Sequence, residues 1–415
     1  MSDTAPLICL VTPGHVASAP RVVKEADALV EAGYRVHVVA GRSFPGNDEL
    51  DASILRKAKW QYTRVDYASG AALARKVARR VALKLVVHPQ FANVAVAARA
   101  NHTESLRLGT AAARTHARLY IGHCLAALPA ASIAANFNGT PYGFDAEDFH
   151  DAETDTVLQN PGLLASTQIL ERNLLPGCVH LTAASPLIGL EYSKRYNVSP
   201  RTVLNVFPRS MAPEAPVDPG PISANRPARI YWFSQTIGPG RGLEEAVAIL
   251  GLMRTPVELQ LRGFPSPGYP ERLNELAARA GLARPIRFLD PGEPDEMARL
   301  AASTDLGLSI EPREPLNKEL CLANKIFVYL LAGIPQLLSD TTAQNALARE
   351  LGEAAISADL LQAEATARRL DEFFSDPARV ATARRKAWEL ATSRYCWDAE
   401  KSTYLDSVRS VVPLP

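Results

Sequence analysis

The sequence predicts an α/β protein of two domains, each a parallel sheet covered by helices. Three observations carry this. Short, continuous apolar runs alternate with amphipathic helical segments along the chain. A proline-rich break divides that alternation once, near the middle. A chain of 415 residues, 47% of them hydrophobic, is also too long for one ordinary core and rich enough for two.

The first half opens with LICLV (7–11), a strand buried on both faces. RVVKEADALVEAG (21–33) follows, with Val22, Ala26, Leu29 and Val30 on one helical face and Gly33 as its stop. YRVHVVAG (34–41) is the next strand, and strand, helix, strand at this spacing is a βαβ unit, hence a parallel sheet. Further strands are expected at 118–123, 140–145, 178–183 and 202–207, with helices at 127–137 and 185–196. Residues 208–227 hold six prolines and no periodicity, as a linker does. The alternation restarts with strands at 229–235, 257–263, 286–290, 305–310 and 335–339. Helices are expected near 243–252, 270–281, 294–304 and from Asn324, then on to the C-terminus.

Charge narrows the function. With 45 basic and 44 acidic residues the chain has no overall field to attract a nucleic-acid backbone. The segment 71–118 is locally basic, nine Lys and Arg against Glu104 alone, and its stretch 73–84 has the pattern of an amphipathic helix for an anionic membrane or of a solvated helix face. The five cysteines are scattered without C-x-x-C spacing, which fits a reducing, cytoplasmic compartment and argues against a zinc cage or disulfide framework. No leader or membrane-spanning stretch is read from the sequence.

Ligands of open α/β sheets bind beyond the carboxyl ends of the strands, so the loops there hold the candidates. TPGHVASAPR (12–21) offers Gly14 for close backbone approach, His15 toward the expected cleft and Ser18 as a helix cap. His123 ends a strand. FDAEDFHDAE (144–153) brings Asp145, Glu147, Asp148, His150 and Asp151, a set suited to a metal, a general base or a hydroxyl-rich ligand. SQTIGPGRGLEEA (234–246) lacks the third glycine of G-x-G-x-x-G and the G-K-[ST] of a P-loop. It remains a glycine loop presenting Arg241 at a helix start, an arrangement suited to phosphate. In LCLANKIFVYLLAGIPQLLS (320–339), Asn324 is expected to cap a helix with Lys325 beside its amino end, and Gly333 and Pro335 to stop it.

Taken together these segments resemble the glycosyltransferases of GT-B fold, most closely the retaining family 4 of group-1 type. The carriers are 20–39, 122–131, 144–151, GPGRGLEEAV (238–247), 257–263, 286–309, NKIFVYLLAGIP (324–335) and YCWDAE (395–400). The resemblance implies two Rossmann-like domains facing across a cleft: an acceptor domain over 1–207, a linker over 208–227 and a donor domain over 228–390. A helix in 391–415 is expected to cross back to the first domain. It implies sugar transfer with retention from a UDP- or GDP-linked donor to a glycan or lipid-linked acceptor, in bacterial surface polysaccharide or glycoconjugate synthesis, with contact at the inner face of the membrane through 73–84. No cofactor and no metal are implied, the nucleotide sugar being a substrate. His123 would be the catalytic histidine near the reacting carbon. Gly14, Gly240, Arg241, Arg262, Gly263, Asn324 and Lys325 would hold the donor, and His15, Ser18, Asp145, Asp148 and His150 the acceptor. Where related enzymes carry a ribose-binding Glu, this chain has Val328. A sugar-nucleotide-binding subunit without turnover, or a nucleotide-sugar 2-epimerase of the same fold, are the alternatives.

Overall fold

The computed structural model describes residues 5–68 and 70–414, and the chain divides into two compact units. Unit 1 comprises the chain through Leu204, residues 315–317 and everything from Lys401 onward. Unit 2 comprises Asn205–Glu314 and Lys318–Glu400.

The sheet of unit 1 has seven parallel strands: β1 Leu7–Thr12, β2 Arg35–Arg42, β3 Gln61–Asp66, β4 Leu119–His123, β5 Tyr142–Ala146, β6 His180–Ala183 and β7 Arg201–Thr202, in the order β3-β2-β1-β4-β5-β6-β7. Unit 2 has six: β8 Ala228–Ile237, β9 Val257–Pro265, β10 Arg287–Leu289, β11 Leu306–Ser309, β12 Gln336–Ser339 and β13 Ala355–Ala358, in the order β10-β9-β8-β11-β12-β13. Each order reverses beside its first strand, β1/β4 and β8/β11, which is where doubly wound sheets open a crevice for ligands.

Burial explains why the central strands read as unbroken apolar runs. Every residue of β4, β11 and β12 is buried, because helices cover both faces of a parallel sheet. Trp232, Leu259, Leu308 and Leu337 pack with Leu243, Val247 and Leu250 of the helix Leu243–Gly251 into the main core of unit 2. The edge strands are different. β3 (QYTRVD) is mostly partly exposed and β13 (AISA) alternates partly buried with buried residues, so neither shows the apolar run that marks the centre, and neither was expected.

Two local expectations are corrected. The ladder of β7 ends at Thr202 although VLNVF continues it in sequence; Val203 and Val206 are fully buried, so tertiary packing accounts for that apolar run. The expected helix over 294–304 is reduced to Met297–Ala302. No helix among the described residues is long and apolar enough to cross a membrane.

The C-terminal residues complete unit 1. Tyr34 donates its hydroxyl to the carbonyl of Val412 at 2.6 Å, Ser407 bonds the Nδ1 of His180 at 2.9 Å, and Tyr404 and Val408 are wholly buried. Tyr404→Ala is expected to destabilise unit 1 by about 3 kcal/mol or more through the cavity it leaves, measured by urea unfolding.

Candidate functional site

In unit 1 the register sets His123, Asp145 and Thr182 level across β4, β5 and β6. The helix Pro20–Glu31 adds Arg21 and Glu25, one turn apart on one face. Arg21, Glu25, His123 and Asp145 are all 0% exposed. Arg21 grips Asp145 with two bonds, Nε to Oδ2 at 2.5 Å and Nη2 to Oδ1 at 2.7 Å, and its Nη1 donates to the carbonyl of Val203 at 2.8 Å. The Thr182 hydroxyl also donates to Asp145. Glu25 lies 3.2 Å from Arg21 and 3.4 Å from the Nε2 of His123, whose Nδ1 lies 3.4 Å from Asp145.

The charges are interdependent. Burial pushes the Asp145 carboxyl upward, but Arg21 and His123 outweigh it and hold the group well below the carboxylate range. Glu25 is pushed up to about 7 by burial, against the pull of His123. Burial would lower His123, yet Glu25 and Asp145 raise it, favouring the imidazolium. The partly exposed Glu147 sits 4.0 Å from His123, its carboxyl raised by burial and by Asp145.

His123 ends its strand as expected, and its ring has no surface and lies between two carboxylates. Asp145 is likewise enclosed: its oxygens are taken by Arg21 and Thr182.

The loop after β1 is latched. His15, 1% exposed, bonds Asp51 through Nδ1 at 2.7 Å and accepts the amides of Ser43 and Phe44 at Nε2. Both ring nitrogens are used inside unit 1, so His15 offers nothing to an acceptor. Ser18 bonds the carbonyl of His15 instead of capping the next helix, whose cap residue is Ala19. Gly14 accepts the amide of Gly41, and a side chain at Gly41 would collide with the Pro13 carbonyl at 2.2 Å.

His150 also turns inward. Its Nδ1 lies 2.8 Å from the Tyr192 hydroxyl, which donates to buried Glu171 at 2.7 Å. Burial opposes its charge, but Glu171, Glu153 and Asp148 prevail and raise it to about 9. Asp148 accepts from Asn317 at 2.8 Å. Glu147, Asp148 and Glu153 are therefore the partly exposed carboxylates of this loop.

In unit 2 the loops beyond β8, β9 and β11 adjoin one another through named contacts. Arg241 donates to the Ser234 hydroxyl at 3.2 Å, and among the described residues no carboxylate lies within ion-pair distance of it. Gly263, at φ +143°, abuts the Ser234 carbonyl, which a Cβ would meet at 2.1 Å. Gly240 adopts φ +71° in the open part of the loop. Gly242 packs on Ile310, next to Glu311. Glu311 is 7% exposed and bonds Lys318 at 2.8 Å and Lys325 at 3.3 Å; the lysines outweigh burial and hold its carboxyl below the usual range. Lys325 also stands 5.5 Å over the Trp232 ring. Arg262 is a strut, committed through Nε to the Tyr231 hydroxyl and through Nη1 to the Asp290 carbonyl.

Asn324 begins the helix Asn324–Leu331 but does not cap it: the cap position is Ala323 and no side chain caps that end. Asn324 is exposed there, while Val328 is 3% exposed within the same helix. Sequence reasoning left out Arg21 and Glu25 as site residues. The four-residue spacing of Arg21 and Glu25 was a readable signal, but nothing local says that this pair points at the sheet.

Two trios, Glu25–His123–Asp145 and His15–Asp48–Asp51, are close enough to hold a cation. In the first, the guanidinium of Arg21 already occupies Asp145; in the second, His15 accepts two amides and Asp48 is paired with Arg42 at 2.6 Å. The donor atoms of Asp145, His15 and Asp48 are thus engaged by the chain's own groups.

No family model and no curated protein sequence matches this chain. Solved structures do. HepE of Anabaena, solved with UDP and glucose, matches with a TM-score of 0.69 at 16% identity over 98% of this chain and 100% of that one. Sucrose-phosphate synthase from Thermosynechococcus elongatus matches at 0.67 and 12% identity, over 98% of each chain. The lipopolysaccharide outer core galactosyltransferase WaaB in its apo form matches at 0.62 and 10%, over 97% of this chain and 99% of that one. The fold is GT-B. At such identities the GT-B likeness speaks for architecture, and the chemistry has to come from this chain's own residues.

Asp145→Asn is expected to cost about 3 to 5 kcal/mol in stability, because it leaves Arg21 buried with half its partner gone; an acceptor contact would instead raise KM with stability unchanged. The raised His150 contributes stability that is complete below pH 6.5 and is lost as pH rises toward 9, about 3 kcal/mol in all, and His150→Gln should flatten that slope in denaturation series at stepped pH.

Proposed function

We propose that the protein is a retaining glycosyltransferase of family 4, group-1 type, moving a sugar from a nucleotide-sugar donor held by unit 2 to a glycan or lipid-linked acceptor. The observation that carries this is the pair of cations at the strand ends of unit 2: Arg241, with no carboxylate within ion-pair distance among the described residues, and Lys325, over the Trp232 ring and 3.3 Å from Glu311. Partly exposed cations such as Arg241 and Lys325 suit a diphosphate. The nucleotide diphosphate and sugar bound by HepE support the donor class, and the galactosyltransferase WaaB supports a role in surface glycan or glycoconjugate synthesis.

In the reaction the bond from the anomeric carbon to the diphosphate oxygen breaks and a bond to the acceptor oxygen forms, while the acceptor's hydroxyl proton is released. The transition state is oxocarbenium-like, so charge develops on the departing diphosphate. Arg241 and Lys325 would stabilise that charge as it grows. They act without a metal in this reading. His123, enclosed between Glu25 and Asp145, serves as a positioning residue at the end of β4, and Glu147 and Asp148 are the carboxylates available to acceptor hydroxyls.

A second reading, a sugar-nucleotide-binding subunit without turnover, draws on Val328, which fills core where a ribose-binding carboxylate would be expected. A panel of UDP-, GDP- and TDP-sugars separates the two: transfer or nucleotide release supports the enzyme, and thermal stabilisation without either supports the subunit. With the active donor, Arg241→Ala is expected to lower kcat about 100-fold or more, the usual loss for a transition-state electrostatic contact; unchanged kinetics would refute its role.

A further inference from the structure

Unit 1 has a cavity at the amino ends of β6 and β7, the opposite end of the sheet from His123 and Asp145. Three stretches distant in sequence build it: residues 175–181 leading from the helix Pro161–Leu174 into β6, residues 197–201 leading from the helix Pro186–Tyr196 into β7, and Ser407 with Ser410 near the end of the chain. Its volume is about 290 Å³, the lower end for ligand pockets and room for a molecule of hexose phosphate size.

The lining is rich in donors and holds one charge. Arg201 is exposed at the start of β7, its guanidinium makes no hydrogen bond or ion pair among the described residues, and no Asp or Glu lines the cavity. Asn197 takes φ +53° as the cap of its helix, where its backbone amide donates to the Ser193 carbonyl at 3.0 Å; its side chain and the Ser199 hydroxyl are unpaired among the described residues. Two further hydroxyls are spent inside: that of Ser407 lies 2.9 Å from the Nδ1 of His180, and that of Ser410 donates to the Ser407 carbonyl at 2.7 Å. The carbonyls at the end of the helix Pro161–Leu174 do not compete for Arg201, because Leu174 accepts the Tyr142 hydroxyl at 2.8 Å and Leu175 the Cys178 amide at 3.0 Å.

Donors without acceptors suit an anion. A guanidinium fork can take two phosphate oxygens, and a neighbouring amide and hydroxyl can take a third. Leu175, Val179 and Val198 make the rest of the wall apolar, which suits the carbon frame of an organic ligand more than a bare ion.

We propose that this cavity binds a phosphate monoester of a small hydroxylated molecule, held by Arg201, Asn197 and Ser199. The ligand is neither donor nor acceptor, since both would meet the carboxyl ends of the strands. The inference rests on unit 1 alone and holds whether or not the chain transfers a sugar.

Cys178 supplies a reporter. Its thiol lines the cavity and is partly buried, and burial pushes it well above the ordinary thiol range, so its alkylation is slow enough to time. The test is calorimetric titration of the full chain with glucose 6-phosphate, inorganic phosphate and glucose, with the rate of Cys178 alkylation by N-ethylmaleimide followed by peptide mass spectrometry. Glucose 6-phosphate is expected to bind and to slow the labelling of Cys178 while the exposed Cys124 reacts as before. Inorganic phosphate should bind about tenfold more weakly, and glucose not at all. R201Q should weaken glucose 6-phosphate binding about tenfold or more with an unchanged melting curve. S199W, which fills the cavity from an exposed position, should abolish it and keeps the reading should R201Q misfold. Absence of binding, equal binding of glucose, binding that R201Q and S199W leave intact, or binding that R241A removes would each overturn the proposal.

Discussion

A guanidinium with no exposed surface has to spend its donors inside the protein, and the carboxyl end of the unit 1 sheet is built around that requirement. Arg21 ties its own helix to β5 through Asp145 and to the chain leaving the sheet through Val203. Removing such charges from water is costly, and bidentate geometry with a second carboxylate nearby offsets the cost only if every partner is in place. The parallel register supplies the partners, since it makes His123, Asp145 and Thr182 neighbours whatever the loops beyond them do. The loops that bear Gly14, Glu147 and Asp148 therefore start from a fixed platform.

Unit 2 treats charge in the opposite way. Its Arg241, at the strand ends, is partly exposed and leans on a neutral serine, with no carboxylate within ion-pair distance among the described residues. Positive charge held this way is available to an incoming anion, whereas the positive charge of Arg21 in unit 1 is consumed by the fold. Arg262 shows the same contrast within unit 2, because its two short bonds make it a brace between β9 and the Asp290 carbonyl.

The sequence makes the two α/β halves and the central strands legible because strands buried on both faces must be apolar without interruption. The edge strands β3 and β13 carry no such mark and escaped, whereas the edge strand β10 was read within 286–290. The loops that hold candidate chemistry were also legible, but the direction of each side chain was not. His15 and His150 follow strands just as catalytic residues do, yet Asp51 and Tyr192, distant in sequence, draw both rings inward. Asn324 is one residue too late to cap its helix, a shift that composition cannot register.

Unit 1 takes its last residues from the end of the chain, and this bears on how the protein is made. Domains ordinarily fold as they leave the ribosome, the N-terminal one first. Here the residues that carry Tyr404, Ser407 and Val408 are synthesised after the whole of unit 2. The unit begun first is therefore closed last, and His180 and Tyr34 wait for partners that are made only after unit 2.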